Sequence, residues 1–123
     1  MTAARWDSYP SFASQDVFEK LMDDHTKVRG VEKLSPNRWD VTLTNGTVVR
    51  VFITDVYTFS ASDYAILRAG HPDVDIIVSA SMWNHFSSQA EEEAASDEVV
   101  TVMLRGDLMS ALHEFAKGRA PRN

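Results

Sequence analysis

Alternating apolar and polar positions in the middle of the chain predict a β-hairpin. Residues 39–44 alternate, residues 47–53 are apolar on both sides, and Asn-Gly at 45–46 separates them. Asn-Gly favours a two-residue type I′ turn, which would place Asp40 opposite Val51 and make Trp39 and Phe52 share a face. We expect the second strand inside a sheet and the first nearer an edge, because only the second is apolar on both faces.

Apolar residues recur at helical spacing before the hairpin, and predicted helices alternate with predicted strands after it. Apolar residues every three or four positions predict a first helix from Ser14, its cap, to Gly30, its stop. The later predicted elements are a helix capped by Ser60 and ended near Gly70, a strand at 74–80, a helix opened at Ser88, a strand at 99–104, and a helix from Asp107 to Gly118. This order predicts an α/β fold: a helix, a β-hairpin, then alternating helices and strands with a mixed sheet covered by helices.

Length and composition predict one α/β domain spanning 1–123. The chain has 123 residues, of which 44% are hydrophobic, enough for one core and too few for two. We expect residues 1–13 to form an irregular lead-in and 118–123 a flexible tail. Neither a signal peptide nor a membrane-spanning run is evident, so the sequence predicts a cytoplasmic protein that does not enter a membrane.

The charge distribution favours a protein partner over nucleic acid. The net charge is −6, and no Lys or Arg lies between Arg68 and Arg105. Nucleic-acid affinity comes from basic side chains that neutralise phosphates, so this acidic stretch disfavours DNA and RNA and suits a basic protein partner. The sequence leaves self-association open. Because there is no cysteine, disulfides, thiol nucleophiles and Cys-ligated metals are excluded.

A search for catalytic or ligand-binding motifs predicts no cofactor and no metal site. The five glycines form no phosphate-binding loop, and the four histidines lack metal-ligand spacing. Ser79, Ser81 and His85 lack the glycines of a nucleophile elbow. Residues 91–93 are consecutive glutamates, which point in different directions on a helix, so a solvated face is the better interpretation. These absences favour a non-enzymatic role.

The second half of the chain resembles the Mrr-type restriction nucleases, and the order of elements resembles the restriction-endonuclease-like fold. The likeness lies in the apolar strand ending in small hydroxyl residues at 76–81, the Phe86-Ser87 turn, the helix carrying Ala90 and Ala94, and the helix carrying Leu108 and Leu112. Residues 57–84 are also similar to small bacterial proteins. The resemblance implies a nuclease-like scaffold.

The resemblance implies a magnesium site that this sequence only partly supplies. Asp40 matches the family's acidic residue, but the stretch 52–54, Phe-Ile-Thr, lacks the expected acid or amide and the lysine. With Asp40 opposite Val51, Asp55 would lie roughly 13 Å away, too far to share one ion. We therefore expect no cleavage of DNA or RNA. The alternative is a Mg²⁺- or Mn²⁺-dependent nuclease with a rearranged site using Asp40, Asp55 and an acid of the first helix, Glu19 or Asp23.

The edge of the sheet after its parallel strands is the predicted binding surface. Trp83, Asn84 and His85 follow one strand, and Asp55 and Tyr57 follow its neighbour, so parallel strands would bring the two loops together. Their mixture of flat apolar area, donors and acceptors suits recognition of a protein partner. The alternative, given equal weight, is that Trp83 and Phe86 only cover the sheet edge. The leading hypothesis is a non-catalytic binding or regulatory module.

Overall fold

The structure is a computed structural model, and it describes residues 10–81, 83–104 and 106–118. It contains four helices and seven strands within those ranges. In chain order they are α1 (Phe12–Asp24), β1 (Val28–Lys33), β2 (Arg38–Leu43), β3 (Val48–Thr54), β4 (Thr58–Phe59), α2 (Ala61–Gly70), β5 (Ile76–Ser79), β6 (His85–Phe86), α3 (Ser88–Ser96), β7 (Val100–Met103) and α4 (Leu108–Ala116).

Five strands form one mixed sheet in the order β1-β2-β3-β5-β7. The pairs β1–β2 and β2–β3 are antiparallel, whereas β3–β5 and β5–β7 are parallel. This arrangement confirms the predicted α/β fold with an N-terminal helix, a hairpin and alternating helices and strands. The central position of β3 confirms that the second hairpin strand lies inside the sheet. No helix in the described ranges is long and apolar enough to cross a membrane.

Helices cover both faces of this sheet. Side chains that alternate along β3 point to opposite faces: Val51 joins a core with α1 and α4, and Phe52 joins a core with α2 and α3. In the first core, Phe18 of α1 packs against Trp39 with ring centroids 5.0 Å apart. In the second, Leu67 of α2 is fully buried. The apolar run of β5 is buried on both faces, as expected for a covered parallel strand.

The N-terminal prediction was wrong in its boundaries. The helix begins at Phe12 after Ser11, whose hydroxyl accepts a hydrogen bond from the backbone N–H of Ser14. It ends at Asp24, and Gly30 lies in β1 rather than stopping a helix. Residues 12 and 13, predicted as part of an irregular lead-in, are helical; residues 1–9 of that lead-in lie outside the described residues.

The predicted hairpin register was wrong by one residue. Asp40 lies opposite Arg50, and Val51 lies opposite Trp39. The turn is one residue longer than a type I′ turn: the backbone N–H of Gly46 donates to the carbonyl of Leu43, and only Gly46 of the Asn-Gly pair has positive φ, at 89°. A three-residue loop with glycine in this conformation is a common alternative to the two-residue turn.

This shift moves Trp39 and Phe52 to opposite faces of the sheet, against the prediction that they share one. Their side chains lie in separate buried clusters. The first hairpin strand, β2, lies nearer an edge than β3, as predicted: it is the second strand of the sheet, beside the edge strand β1. The strand β1 was not predicted, since it exposes most of its residues and shows no apolar alternation.

The helices after the hairpin agree closely with prediction. Ser60 and Asp63 form a capping box at the start of α2. The third helix begins one residue earlier than a Ser88 cap implies, because Ser87 is the cap and accepts the hydrogen bond from the backbone N–H of Ala90. Asp107 precedes α4 without making a side-chain capping bond. In the predicted flexible tail, Gly118 has positive φ, and residues 119–123 lie outside the described residues.

The edge strand β1 is irregular. Its pairing with β2 shifts between Val28 and Gly30, where Arg29 is the extra residue of a β-bulge. Arg29, Glu32 and Lys33 are exposed along the strand. The ammonium of Lys33 lies 5.2 Å from the ring centroid of Trp39 and donates a hydrogen bond to the side-chain oxygen of Gln15 on α1.

Candidate functional site

The ends of β3 and β5 create the first part of the candidate site. The two strands are parallel, and Thr54 pairs with Ser79 at their last positions. The segments that follow therefore leave the sheet at the same edge. They then pair again as β4 and β6, which form a second, two-stranded parallel sheet. This second pairing was not predicted, because each strand is only two residues long.

The structure brings together all five residues that were predicted to form the binding surface. We call Asp55, Tyr57, Trp83, Asn84 and His85 the aromatic surface. The side-chain amide of Asn84 donates a hydrogen bond of 2.9 Å to the carboxylate of Asp55. The rings of Tyr57 and His85 meet edge to face with centroids 5.6 Å apart. The backbone N–H of His85 donates to the carbonyl of Tyr57 at 2.9 Å, so main-chain and side-chain contacts hold the two loops together.

The two largest side chains of the aromatic surface face solvent. Trp83 is 78% exposed and Tyr57 is 67% exposed. The alternative role, covering the sheet edge, fits Phe86 instead: this ring is half-buried, packs edge to face on Phe59 at 5.7 Å and joins the core under α2 and α3. Trp83 is thus a surface residue, and the two aromatic residues that the sequence could not separate have different environments.

An acidic pocket that was not predicted adjoins the aromatic surface. It has a volume of about 230 Å³ and shares His85 with that surface. The residues that line it come from three separate parts of the chain: His85, Phe86, Glu91, Thr101, Val102, Met103 and Asp107. Glu91 lies in the first turn of α3, and Asp107 directly precedes α4. Only the tertiary fold brings these carboxylates to one pocket, so no local sequence signal could have identified it.

Asp40, the residue that matches the nuclease motif, belongs to an ion-pair cluster on the sheet. Its carboxylate accepts a hydrogen bond of 3.1 Å from Arg38. Arg38 also makes two hydrogen bonds to Asp73, whose carboxylate pairs with Arg50 as well. The Nδ1 atom of His71 lies 3.1 Å from the same guanidinium. Asp40 therefore contributes to a network that joins β2, β3 and the segment before β5.

The ion-pair cluster shifts the pKa values of its members. Burial would raise the pKa of Asp73, but hydrogen bonds from Arg38 and the positive charges of Arg38 and Arg50 outweigh it and hold that pKa below its ordinary value. Burial would lower the pKa of Arg38, but its hydrogen bonds to Asp73 and Asp40 and their negative charges outweigh burial and raise that pKa above its ordinary value. The charged forms of both partners are stabilised.

The acids of the nuclease alternative are not brought together. With Asp40 opposite Arg50, Asp55 lies five residues further along, roughly 16 Å by strand rise. The predicted 13 Å rested on the wrong register. Glu19 and Asp23 line a different cavity, of about 350 Å³, between α1 and β1 on the Trp39 side of the sheet. In the described ranges no three His, Asp or Glu side chains are grouped to hold a metal ion.

No protein-family model, no curated protein and no solved structure matches this chain. The fold described above therefore rests on the strands, helices and registers of the chain itself.

Proposed function

We propose that this chain is a non-catalytic binding or regulatory module that recognises a protein partner through the aromatic surface. The observation that carries the proposal is the exposure of Trp83, 78%, and of Tyr57, 67%, on two loops that the contacts between Tyr57 and His85 hold together. Tryptophan and tyrosine are the residues most enriched where binding energy concentrates, because they bury a large area and lose little side-chain entropy. Both lie next to polar groups that can orient a partner, the Asn84 amide and the His85 imidazole.

The framework under these side chains supports recognition. The Asn84–Asp55 hydrogen bond and the β4–β6 pairing hold the two loops to each other. A surface that is organised before binding loses less conformational entropy when the partner arrives. The open edge after parallel strands is also where α/β sheets commonly bind their ligands.

Charge and size favour a protein as the partner. A net charge of −6, with no Lys or Arg between Arg68 and Arg105, repels the phosphates of nucleic acid. The adjoining pocket, about 230 Å³, is smaller than the roughly 300–1,000 Å³ of typical small-molecule sites. The nuclease-like scaffold is part of the same proposal and is supported by the order of helix, hairpin and alternating helices and strands.

The proposal is tested by truncating Trp83 and comparing partner capture. Wild type, Trp83→Ala and Ile66→Ala would be immobilised and exposed to lysate of the source organism. Ile66 is the matched control, since it is an apolar residue of α2 that is 46% exposed and lies outside the aromatic surface. We expect wild type and Ile66→Ala to retain the same protein and Trp83→Ala to lose it.

Calorimetry with the purified partner makes the test quantitative. We expect Trp83→Ala to weaken binding by about 2 kcal/mol, about 30-fold, the usual threshold for a dominant interface residue. Thermal unfolding of the same variants checks that the fold is intact. Unchanged affinity in Trp83→Ala would contradict the proposal.

A further inference from the structure

The acidic pocket holds two carboxylates close to the aromatic surface. Glu91 and Asp107 line it together with His85, whose ring also contacts Tyr57. The pocket and the aromatic surface are therefore continuous through one residue. A partner segment that contacts His85 can therefore touch both the aromatic surface and the pocket.

The charge of this pocket is not balanced by the described part of the chain. The ion pairs among the described residues involve Arg38, Arg50 and Arg68, and none of these arginines pairs with Glu91 or Asp107. The sequence from 69 to 104 contains no Lys or Arg at all. Two carboxylates beside one small cavity attract a positive group and repel a negative one.

The walls of the pocket indicate what kind of cation fits. Phe86, Val102 and Met103 supply apolar wall, and Thr101 supplies a hydroxyl. Lysine and arginine combine an apolar stem with a charged head, so a stem can lie on the apolar wall while the head meets the carboxylates. A volume of about 230 Å³ suits a single side chain more than a whole metabolite.

We propose that the partner presents a basic segment: one Lys or Arg side chain enters the pocket between Glu91 and Asp107, and its neighbours pack on Trp83 and Tyr57. This inference rests on the proposed function and specifies the chemistry of the partner. The rings of the adjoining aromatic surface add to the attraction, because the faces of Trp and Tyr attract cations. Binding should weaken as salt concentration rises, since Glu91 and Asp107 are both exposed and their charges are screened by salt.

The experiment uses a phage-displayed library of random 12-residue peptides, selected on the chain of 123 residues. Peptides that bind wild type but not Trp83→Ala are sequenced, synthesised and measured by fluorescence anisotropy. We expect these peptides to be enriched in Lys or Arg next to aromatic or large apolar residues. Acetylation of the critical lysine, or replacement of the critical arginine by glutamine, should abolish the charge-dependent part of binding.

Matched variants separate the pocket from general charge. Glu91→Gln and Asp107→Asn remove one negative charge each, and so does Glu92→Gln, which lies on the same helix but outside the pocket. We expect each pocket variant to weaken the selected peptides by about 10-fold or more, and Glu92→Gln by less than about twofold. Asp107→Asn should keep α4 intact, because Asp107 makes no side-chain capping bond and asparagine is an equally good cap.

The outcomes distinguish this inference from the proposed function. Two results would contradict the basic segment but not the binding module. One is the selection of Trp83-dependent peptides without Lys or Arg; the other is an equal effect of Glu91→Gln and Glu92→Gln on binding. Selection of no Trp83-dependent peptide would overturn both. Tight binding of a single-stranded oligonucleotide, such as a 20-residue oligothymidine, at the same surface would also overturn the inference, because its phosphates carry the opposite charge.

Discussion

Asn84 donates its side-chain amide to the carboxylate of Asp55 at 2.9 Å and so joins the loops that follow β5 and β3. We expect this bond to contribute about 0.5–1 kcal/mol to the free energy of unfolding, the usual net value for a hydrogen bond accessible to water. A double-mutant cycle with Asn84→Ala, Asp55→Ala and the double variant, each unfolded in urea, measures it. Additivity within about 0.3 kcal/mol would show that the bond contributes nothing measurable.

Two tryptophans should respond in opposite ways to truncation. Trp39 is 1% exposed and packs on Phe18, so Trp39→Ala should cost about 3–5 kcal/mol of folding stability. Trp83 is 78% exposed, and Trp83→Ala should change stability by no more than about 0.5 kcal/mol. Urea unfolding of both variants under the same conditions checks this. A large loss of stability in Trp83→Ala would place the indole in the core and remove it from the binding surface.

Tyr64 should make the protein sensitive to alkali. Its hydroxyl donates a hydrogen bond of 2.7 Å to Asp97, and burial together with this carboxylate raises its pKa well above the ordinary value of 10.0. The stability linked to this proton is fully present below pH 10 and is lost at higher pH, because the unfolded chain ionises first.

Tyr64→Phe provides the comparison. At pH 7 it should be less stable than wild type by about 1 kcal/mol, the value of one lost hydrogen bond. Above pH 10 this difference should shrink, since only wild type can release the Tyr64 proton on unfolding. Urea unfolding at neutral pH and above pH 10 measures both values. A difference that stays constant with pH would contradict the expected effect of Tyr64.

Asp73 should contribute stability that is lost in acid. Because Arg38 holds the pKa of Asp73 below its unfolded value of 3.8, the contribution is complete above that pH and disappears as pH falls through the lowered folded value. The Asp73 side chain is 51% exposed, so solvent screening limits the effect to about 1 kcal/mol or less.

The Asp73 effect is measured by urea unfolding of wild type and Asp73→Asn across the acid range. We expect wild type to be the more stable at neutral pH and the two to converge in acid. Glu92→Gln serves as a control, because Glu92 forms no ion pair with the described part of the chain. A pH-independent difference for Asp73→Asn would mean that packing, not charge, explains it.

The sequence predicted the elements whose local signals agree with their tertiary environment. Strand β5 is apolar throughout because both its faces are covered, and the capping box of Ser60 and Asp63 marks α2 directly. The prediction that the loops after β3 and β5 are neighbours also agrees with the structure, because the helix that joins these strands makes them parallel. Whether that surface binds a partner remains a prediction.

Features that depend on distant contacts were missed. Strand β1 is stabilised by pairing with β2 rather than by an apolar face, so its sequence contains no strand signal and its first residues were predicted as the end of the first helix. The hairpin register depends on the conformation of Asn45, because an Asn-Gly pair can form either a two-residue turn with positive φ at both residues or a three-residue loop with positive φ at the glycine alone. The acidic pocket combines Glu91 and Asp107, which are separated in sequence by all of β7.

The irregular edge formed by β1 affects how copies of this protein meet. An unpaired strand edge is a template on which another chain can add a strand and begin aggregation. The bulge at Arg29 interrupts the spacing of its hydrogen-bonding groups, and Glu32 and Lys33 would bring charged side chains into any such pairing. Because this edge is protected against fibre growth, the surface after the ends of β3 and β5 can expose Trp83 and Tyr57 with less risk that an encounter between copies becomes irreversible.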